Sequence, residues 1–403
     1  MEEIFGARPS EVAGMGKLTS EIGLRTMACH RYIGDHAGLS DTIPGQILQR
    51  LAPSIALYQE NTRSRHVHLS ANCTYIGDEL RKAAWLYHDA EKETYDQLNA
   101  HTDLVPVPVP QLGNSKTAAV GNVDDYVNAA DYGHPDGIDY PPANPAVDDT
   151  REVIQAAAGW LGDVDETIFE LTTWSPLTEV TTPLSGNWNE IRRAGEAFDI
   201  AGSAMEAAAA SLERGVRRVD DYWDGQAAQA FTEYSGRQIA AMYWEGSCGR
   251  TIHAISEAIA EEIREGVQTV VRKFAEMLEA EVDLGSGSAA MKVALKKVPV
   301  LGTAWQLGAI VDILRQTMDL TMDLVRRIEE LVDQFGLFLD AIIDPEGQVS
   351  RTIDKYLQPF NEALDKGKTA VDAGRTADIT PVLDTPDQQF SVGEGDQPWQ
   401  DAV

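Results

Sequence analysis

The stretch Tyr222-Trp223-Asp224-Gly225-Gln226-Ala227-Ala228-Gln229-Ala230-Phe231 decides the fold, because it lies between two long helical patterns. Glycine takes a positive φ without a Cβ penalty, so Gly225 suits a tight bend between two helices. The large side chain of Trp223 can lie across the end of the hairpin and close it. Most residues after the bend are good helix formers. The stretch therefore predicts the tip of an antiparallel helical hairpin.

The segment before this tip carries a strict seven-residue apolar repeat. Its large members are Ile191, Phe198, Met205, Leu212 and Val219, and its second positions are Ala194, Ala201, Ala208, Gly215 and Tyr222. Small residues at most of the second positions predict a close approach of the partner helix. After the bend, the apolar pattern resumes and predicts a return helix through Phe231, Tyr234, Ile252, Ile255, Ile259, Ile263, Val270, Phe274 and Leu278.

Three further patterns flank the hairpin. Residues 9–100 read as helical, with Pro53 expected to separate helices and either Ser70 or Asn72 expected to cap the last one. The alternating prolines of residues 105–110 predict an extended linker, since proline fixes φ and removes a hydrogen-bond donor. Residues 310–342 carry an apolar stripe wide enough to face a multi-helix core.

These patterns predict an all-α protein of elongated helical bundles, built on long antiparallel hairpins, with a Pro-rich linker between two helical domains. The predicted divisions are an N-terminal helical domain (1–100), the linker (101–147), the hairpin domain (148–284), a long amphipathic helix packing on the hairpin (285–345), and a short helix with an acidic tail (346–403) that is expected to be disordered from Gly374. No apolar window predicts a membrane-spanning helix, and residues 1–5 do not begin a cleavable signal peptide.

The composition limits the classes of partner. The chain has 403 residues and 33 Lys and Arg against 64 Asp and Glu, a net charge of −31. This charge excludes nucleic-acid binding as the default function and disfavours binding to anionic membranes. An acid-rich proteome, as in salt-adapted organisms, would also explain the charge. Cys29, Cys73 and Cys248 are too few for a disulfide framework. We expect buried free thiols, with a Cys29–Cys73 bridge as the alternative.

No combination of residues matches a catalytic or metal site of useful specificity. His66 and His68 lie two residues apart, without a carboxylate at ligand spacing. The pairs Cys29–His30 and Cys248–His253 could each join a thiol to an imidazole, but both lie in helical patterns, where packing is the ordinary explanation. The sequence therefore predicts no catalytic residue, no metal and no cofactor.

Residues of about 183–280 resemble the WXG superfamily of type VII (ESX) secretion substrates, particularly its long actinobacterial versions. The resemblance rests on Pro183-Leu184-Ser185-Gly186-Asn187-Trp188 before the first helix and on the tip with Trp223 and Gly225. Members are two-helix hairpins that pair, often with a second hairpin, into a four-helix bundle. A membrane-embedded machine exports the folded bundle. The resemblance implies that Trp223 and Gly225 are the hairpin motif and that export needs no cleaved leader.

Residues of about 10–100 resemble the EspC-like secretion-associated family through Leu80-Arg81-Lys82-Ala83-Ala84 and Tyr87-His88-Asp89-Ala90-Glu91. In that superfamily the export signal is Tyr-x-x-x-Asp beside the hairpin, and here Glu91 occupies the Asp position after Tyr87. The two residues lie one helical turn apart, which makes them the candidates for secretion recognition. Tyr75 and Glu79 have the same spacing.

Together the resemblances imply a non-enzymatic substrate or adaptor of a type VII system, cytoplasmic before export and then secreted or at the cell surface. The implied partners are the secretion machinery and either a second helical hairpin protein or another copy of the chain. No nucleic-acid partner is expected, and the sequence leaves membrane contact open. The alternative is a membrane-active or pore-forming effector that uses residues 293–342. An enzyme assembled from scattered residues is the least favoured hypothesis.

Overall fold

The computed structural model describes residues 6–39, 46–88, 102–105, 120–123, 125–143, 175–184, 188–282, 304–343, 353–364 and 368–392, with single residues between 153 and 165. The protein is an all-α helical bundle, which confirms the predicted fold class. Its helices are α1 (Pro9–Thr26), α2 (Cys29–His36), α3 (Gln46–His88), α4 (Pro176–Thr181), α5 (Trp188–Asp220), α6 (Gln226–Val282), α7 (Ala304–Ile343), α8 (Ile353–Leu357), α9 (Asn361–Leu364), α10 (Lys368–Ala377) and α11 (Thr380–Leu383).

Helices α5 and α6 form the predicted antiparallel hairpin. The five large residues of the seven-residue repeat are all buried. Two glycines bring the backbones close together. A Cβ at Gly202 would overlap the carbonyl oxygen of Glu245, and one at Gly249 would overlap that of Phe198. Gly215, at the tip end of the same repeat, faces Met15 of α1 instead of α6. The small residues therefore serve two helical partners.

The N-terminal helices pack on this hairpin. Helix α1 lies antiparallel to α3 and also contacts α5, and α2 lies against α3 and α5. The expectation that Pro53 separates helices and that Ser70 or Asn72 caps the last one is wrong, because α3 continues through all three residues. Buried apolar residues of α1, α2, α3, α5 and α6 belong to one continuous core.

Part of the predicted linker packs against the helices. Strands β1 (Thr102–Val105) and β2 (Val120–Val123) pair antiparallel, which the sequence did not indicate. Residues 125–143 follow without regular structure and bind α1, α2 and α5 through their backbone. The amide of Ala130 donates to the Ser10 carbonyl at 2.8 Å, and the Tyr32 hydroxyl donates to the Pro141 carbonyl at 2.7 Å. Residues 125–143 of the predicted linker are thus a packed segment, whereas the alternating prolines at 106–110 lie outside the described residues.

Helix α7 packs against both α3 and α6 through its apolar stripe. The disordered tail predicted from Gly374 is wrong for residues 374–392, because α10 and α11 pack on α6 and Phe390 beyond them is buried. The Arg250 guanidinium of α6 binds the Asp372 carboxylate of α10 with distances of 2.7 and 3.0 Å. Among the described helices, none has the length and apolar character needed to cross a membrane.

Candidate functional site

The tip of the α5–α6 hairpin is closed by an aromatic cluster centred on Trp223. Its side chain is only 2% exposed. The indole Nε1–H donates to the Tyr87 hydroxyl of α3 at 3.1 Å, and the two rings meet edge to face with centroids 6.2 Å apart. Phe231, in the first turns of α6, packs on the other side at 5.5 Å. The indole thus joins the hairpin to α3 by one directed hydrogen bond and by apolar contact.

The backbone of the tip is paired as well. The residues just before α1 run antiparallel to the backbone of the tip, with a bridge between Ala7 and Trp223. The amide of Asp224 donates to the Gly6 carbonyl at 2.8 Å, and the amide of Arg8 donates to the Tyr222 carbonyl at 3.0 Å. These bonds satisfy polar groups where the chain leaves α5 and join the tip to the segment before α1.

Three of the four predicted site residues meet at this tip. Gly225 has φ of 107°, a conformation that side chains with a Cβ rarely adopt, and α6 begins at the next residue. Trp223 and Tyr87 are hydrogen-bonded to each other. Burial raises the pKa of the Tyr87 phenol, so the phenol is neutral at physiological pH. Its oxygen accepts a hydrogen bond from the indole N–H of Trp223. The predicted partner of Tyr87, Glu91, lies outside the described residues.

A second polar cluster lies in the core, at the level where α3, α2 and α6 meet. Glu245 of α6 is 3% exposed and accepts hydrogen bonds from two consecutive residues of α3. Arg65 Nε lies 2.6 Å from Oε1, and His66 Nε2 lies 3.2 Å from Oε2. On its other side, His66 Nδ1 lies 2.9 Å from the Cys29 Sγ of α2. Four side chains from three helices thus form one chain of hydrogen bonds.

The charges in this cluster stabilise one another. Burial opposes ionisation of Glu245, but Arg65 and His66 outweigh it and lower the pKa of the carboxyl to about 2. Burial likewise opposes protonation of His66, but Cys29 and Glu245 outweigh it and raise the pKa of the imidazole to about 10. Buried charges persist only when they are paired and hydrogen-bonded in this way.

A chain of cysteine, histidine and carboxylate has the connectivity of an activated nucleophile. In this conformation, however, Cys29 has 0% exposure and His66 only 1%. A cavity of about 270 Å³ touches Arg65 and Glu245 but neither of these two residues. Cys29 and His66 are thus enclosed by protein in this conformation, where the hydrogen bonds of the cluster join α2, α3 and α6.

In the structure, the histidines of the other pairs considered from the sequence bind different partners. His66 lies in the core, whereas the neighbouring His68 donates to the Pro386 carbonyl at 2.8 Å. His30 binds the Met27 carbonyl, and His253 binds the Asp199 carboxylate. All three cysteines are free and buried, as expected, so the alternative Cys29–Cys73 bridge is not formed. Within the described ranges, no group of three or more His, Cys, Asp or Glu residues is placed to hold a metal ion.

The raised pKa of His66 predicts a loss of stability at alkaline pH. A group with a raised folded-state pKa contributes its full stability below the unfolded pKa, near 6.5, and loses it as pH rises to the folded value of about 10. We expect the difference in unfolding free energy between the parent and His66→Gln to shrink by more than about 1.4 kcal/mol between these pH values, the equivalent of one pKa unit. Urea unfolding at several pH values measures it. A difference independent of pH would contradict the charged state of His66.

Comparisons of the chain with models of protein families, with curated proteins and with solved structures found no match. The function is therefore argued from the geometry of the tip.

Proposed function

We propose that the protein is a non-enzymatic substrate or adaptor of a type VII secretion system, and that the tip formed by Trp223 and Tyr87 is the surface presented to the secretion machinery. The observation that carries the proposal is the 3.1 Å hydrogen bond between the Trp223 indole and the Tyr87 hydroxyl. These residues come from the two segments that separately resemble the WXG and EspC-like families. The resemblance implies a tyrosine signal beside the hairpin, and Tyr87 lies in this place.

The packing of α1 and α3 on the hairpin supports the same proposal. The WXG resemblance implies a hairpin that pairs with a second hairpin. Here, α1 and α3 form an antiparallel pair that packs on α5 within the same chain, and α3 also contacts α6. The chain thus supplies its own second pair of helices. Trp223 is buried and Tyr87 is half-buried, so Tyr87 provides the accessible part of the surface and Trp223 positions it.

Export is the experiment that tests this function. We expect Trp223→Ala to lower the amount of protein in the medium by about tenfold or more, the equivalent of about 1.4 kcal/mol of binding free energy, because it removes the ring and the hydrogen bond that position Tyr87. Tyr87→Phe removes one hydroxyl and should have a smaller effect in the same direction. The measurement compares secreted and cell-associated protein in an actinobacterial host and in the same host without its secretion ATPase.

Tyr243→Phe is the matched control for Tyr87→Phe. It also removes one tyrosine hydroxyl with a side-chain partner, since Tyr243 donates to Glu213 at 2.8 Å, but it lies along the hairpin away from the tip. It should be exported like the parent. Export of Trp223→Ala at the level of the parent, or export of the parent without the ATPase, would refute the proposal.

The alternative of a membrane-active effector has no specific observation in its favour. The apolar residues of α7, including Val325, Ile328, Val332 and Phe335, are buried against the rest of the bundle. Residues 293–303, the other part of the region named for this activity, lie outside the described residues. Leakage of liposome contents caused by the purified, folded chain would support that alternative over the proposal made here.

A further inference from the structure

Residues 385–392, which follow α11, lie without regular secondary structure along a groove between α3 and α6, and we call this segment the strap. The α3 wall consists of polar side chains spaced by four, three and four residues, which places them on one face of the helix. The α6 wall is aromatic. The wall residues are His68, Asn72, Tyr75 and Glu79 of α3 and Phe231 and Tyr234 of α6.

Three residues of the α3 wall bind the backbone of the strap, whereas Tyr75 is hydrogen-bonded to the side chain of Gln389. The carbonyl of Pro386 accepts from His68 Nε2 at 2.8 Å and from Asn72 Nδ2 at 3.2 Å. Further along, the amide of Val392 donates to the Glu79 carboxylate at 3.0 Å. Hydrogen bonds to main-chain groups do not depend on the strap's side chains. This wall can therefore accept other extended peptides.

The α6 wall supplies a specific pocket. The Tyr234 hydroxyl donates to the Gln388 carbonyl at 2.8 Å, which is a third backbone contact. The side chain of Phe390 is 1% exposed, and its ring meets those of Tyr234 and Phe231 edge to face at 5.6 and 5.9 Å. Main-chain hydrogen bonds that give affinity, together with side-chain pockets that give specificity, are one recurring pattern in the recognition of extended peptides.

The groove leads from the core to the tip. At the start of the strap it opens into the 270 Å³ cavity, which Arg65 and Glu245 line together with Thr385 and Asp387 of the strap itself. At its other end, Phe231 contacts both Phe390 and Trp223. Because the cavity is empty of protein, a peptide that replaces the strap has room for a larger side chain there.

We propose that this groove is an exchangeable peptide-binding site: the strap is its intramolecular occupant, and an extended partner peptide displaces the strap and packs one aromatic side chain against Phe231 and Tyr234 beside the tip. The effect at the tip rests on the proposed function, whereas peptide exchange does not. The side chains of the partner peptide can differ from those of the strap at the positions that contact α3 through the backbone, because these contacts do not involve side chains of the peptide. The position of Phe390 must be aromatic.

The test uses the full chain and a fluorescent synthetic peptide, Asp-Thr-Pro-Asp-Gln-Gln-Phe-Ser-Val, which matches residues 384–392. The docked strap competes with the added peptide, so the apparent affinity of the parent is reduced by the fraction of open groove. Phe390→Ala in the chain should tighten peptide binding by about tenfold or more, measured by fluorescence polarisation. Leu383→Ala, an exposed change just before the strap, is the matched control and should bind like the parent.

Several outcomes would overturn the proposal. One is equal binding by Phe390→Ala and the parent, and another is equal binding of a peptide that carries Phe390→Ala. A third is a concentration-dependent dimer that the parent forms and Phe390→Ala does not. It would mean that two copies of the chain exchange straps and that the groove binds no separate partner peptide. If Phe390→Ala does not fold, Val392→Pro in the chain removes the strap amide that donates to Glu79, leaves the groove intact, and should tighten peptide binding about threefold.

Hydrogen exchange separates this inference from the proposed function. Faster exchange of the amides around Phe231 and Tyr234 in Phe390→Ala is expected if the strap covers this face, whether or not the protein is exported. Normal peptide exchange together with export that is insensitive to Trp223→Ala would keep the groove and reject the secretion function. The converse result would reject the groove alone.

Discussion

Replacing Glu245 by Gln should lower the free energy of unfolding by about 3 kcal/mol or more at pH 7, because it leaves a buried positive charge without its partner. Arg65 cannot lose its proton, and the new amide offers only one acceptor oxygen where the carboxylate accepts from both Arg65 and His66. The neighbouring His66 can return to its neutral form, which relieves part of the cost. Urea unfolding followed by circular dichroism measures the change.

Glu233→Gln is the matched control for this change. Glu233 lies on the same helix as Glu245, but its side chain is exposed. Neutralising an exposed carboxylate typically changes stability by no more than about 0.5 kcal/mol. If the two variants were equally stable, the cluster around Glu245 would not hold α3 to α6.

The second large effect is expected at Gly249, one of the two glycines at which the backbones of α5 and α6 approach each other closely. Alanine is a better helix former than glycine by about 1 kcal/mol, so propensity alone predicts that Gly249→Ala stabilises the protein. The added Cβ would overlap the carbonyl oxygen of Phe198, which belongs to the backbone and cannot rotate away. Overpacking of this kind costs about 1–3 kcal/mol. We therefore expect net destabilisation, visible as a lower urea midpoint.

Gly236→Ala provides the opposite expectation within the same helix. A Cβ at Gly236 would meet nothing within 4 Å. Here only helix propensity acts, so this variant should be more stable than the parent by about 0.5–1 kcal/mol. The close approach at Gly249 would be disproved if both alanine variants stabilised the chain.

The hairpin could be predicted from the sequence because its determinants are local and periodic. The repeat from Ile191 to Val219 specifies a helical face, and Gly225 specifies where the chain reverses. Both are found as expected. The contact of Tyr87 with Trp223 was not predicted from the pattern itself. The two family resemblances marked the residues, and the packing of α3 on the hairpin brings them together.

The core cluster and the strap have no local signature. Cys29, His66 and Glu245 come from three segments, and each alone reads as an ordinary helical residue. Asn72 is of a residue type that is favoured as a helix cap, because its side chain can bond a free backbone group. In the structure Asn72 lies in mid-helix, and its Nδ2 donates to the carbonyl of Pro386 where a capping side chain would accept from a helix amide. Only the tertiary fold decides which backbone group such a side chain finds.

Helix α3 is tied to the α5–α6 hairpin at two levels, by Arg65 with Glu245 of α6 in the core and by Tyr87 with Trp223 at the tip. Arg65 and Tyr87 are 22 residues apart along the chain, and so are Trp223 and Glu245. One inserted residue in either segment would shift its far end by about 1.5 Å and rotate it by about 100°. Homologous chains that keep both ties should therefore lengthen or shorten the two segments together, by matched numbers of residues.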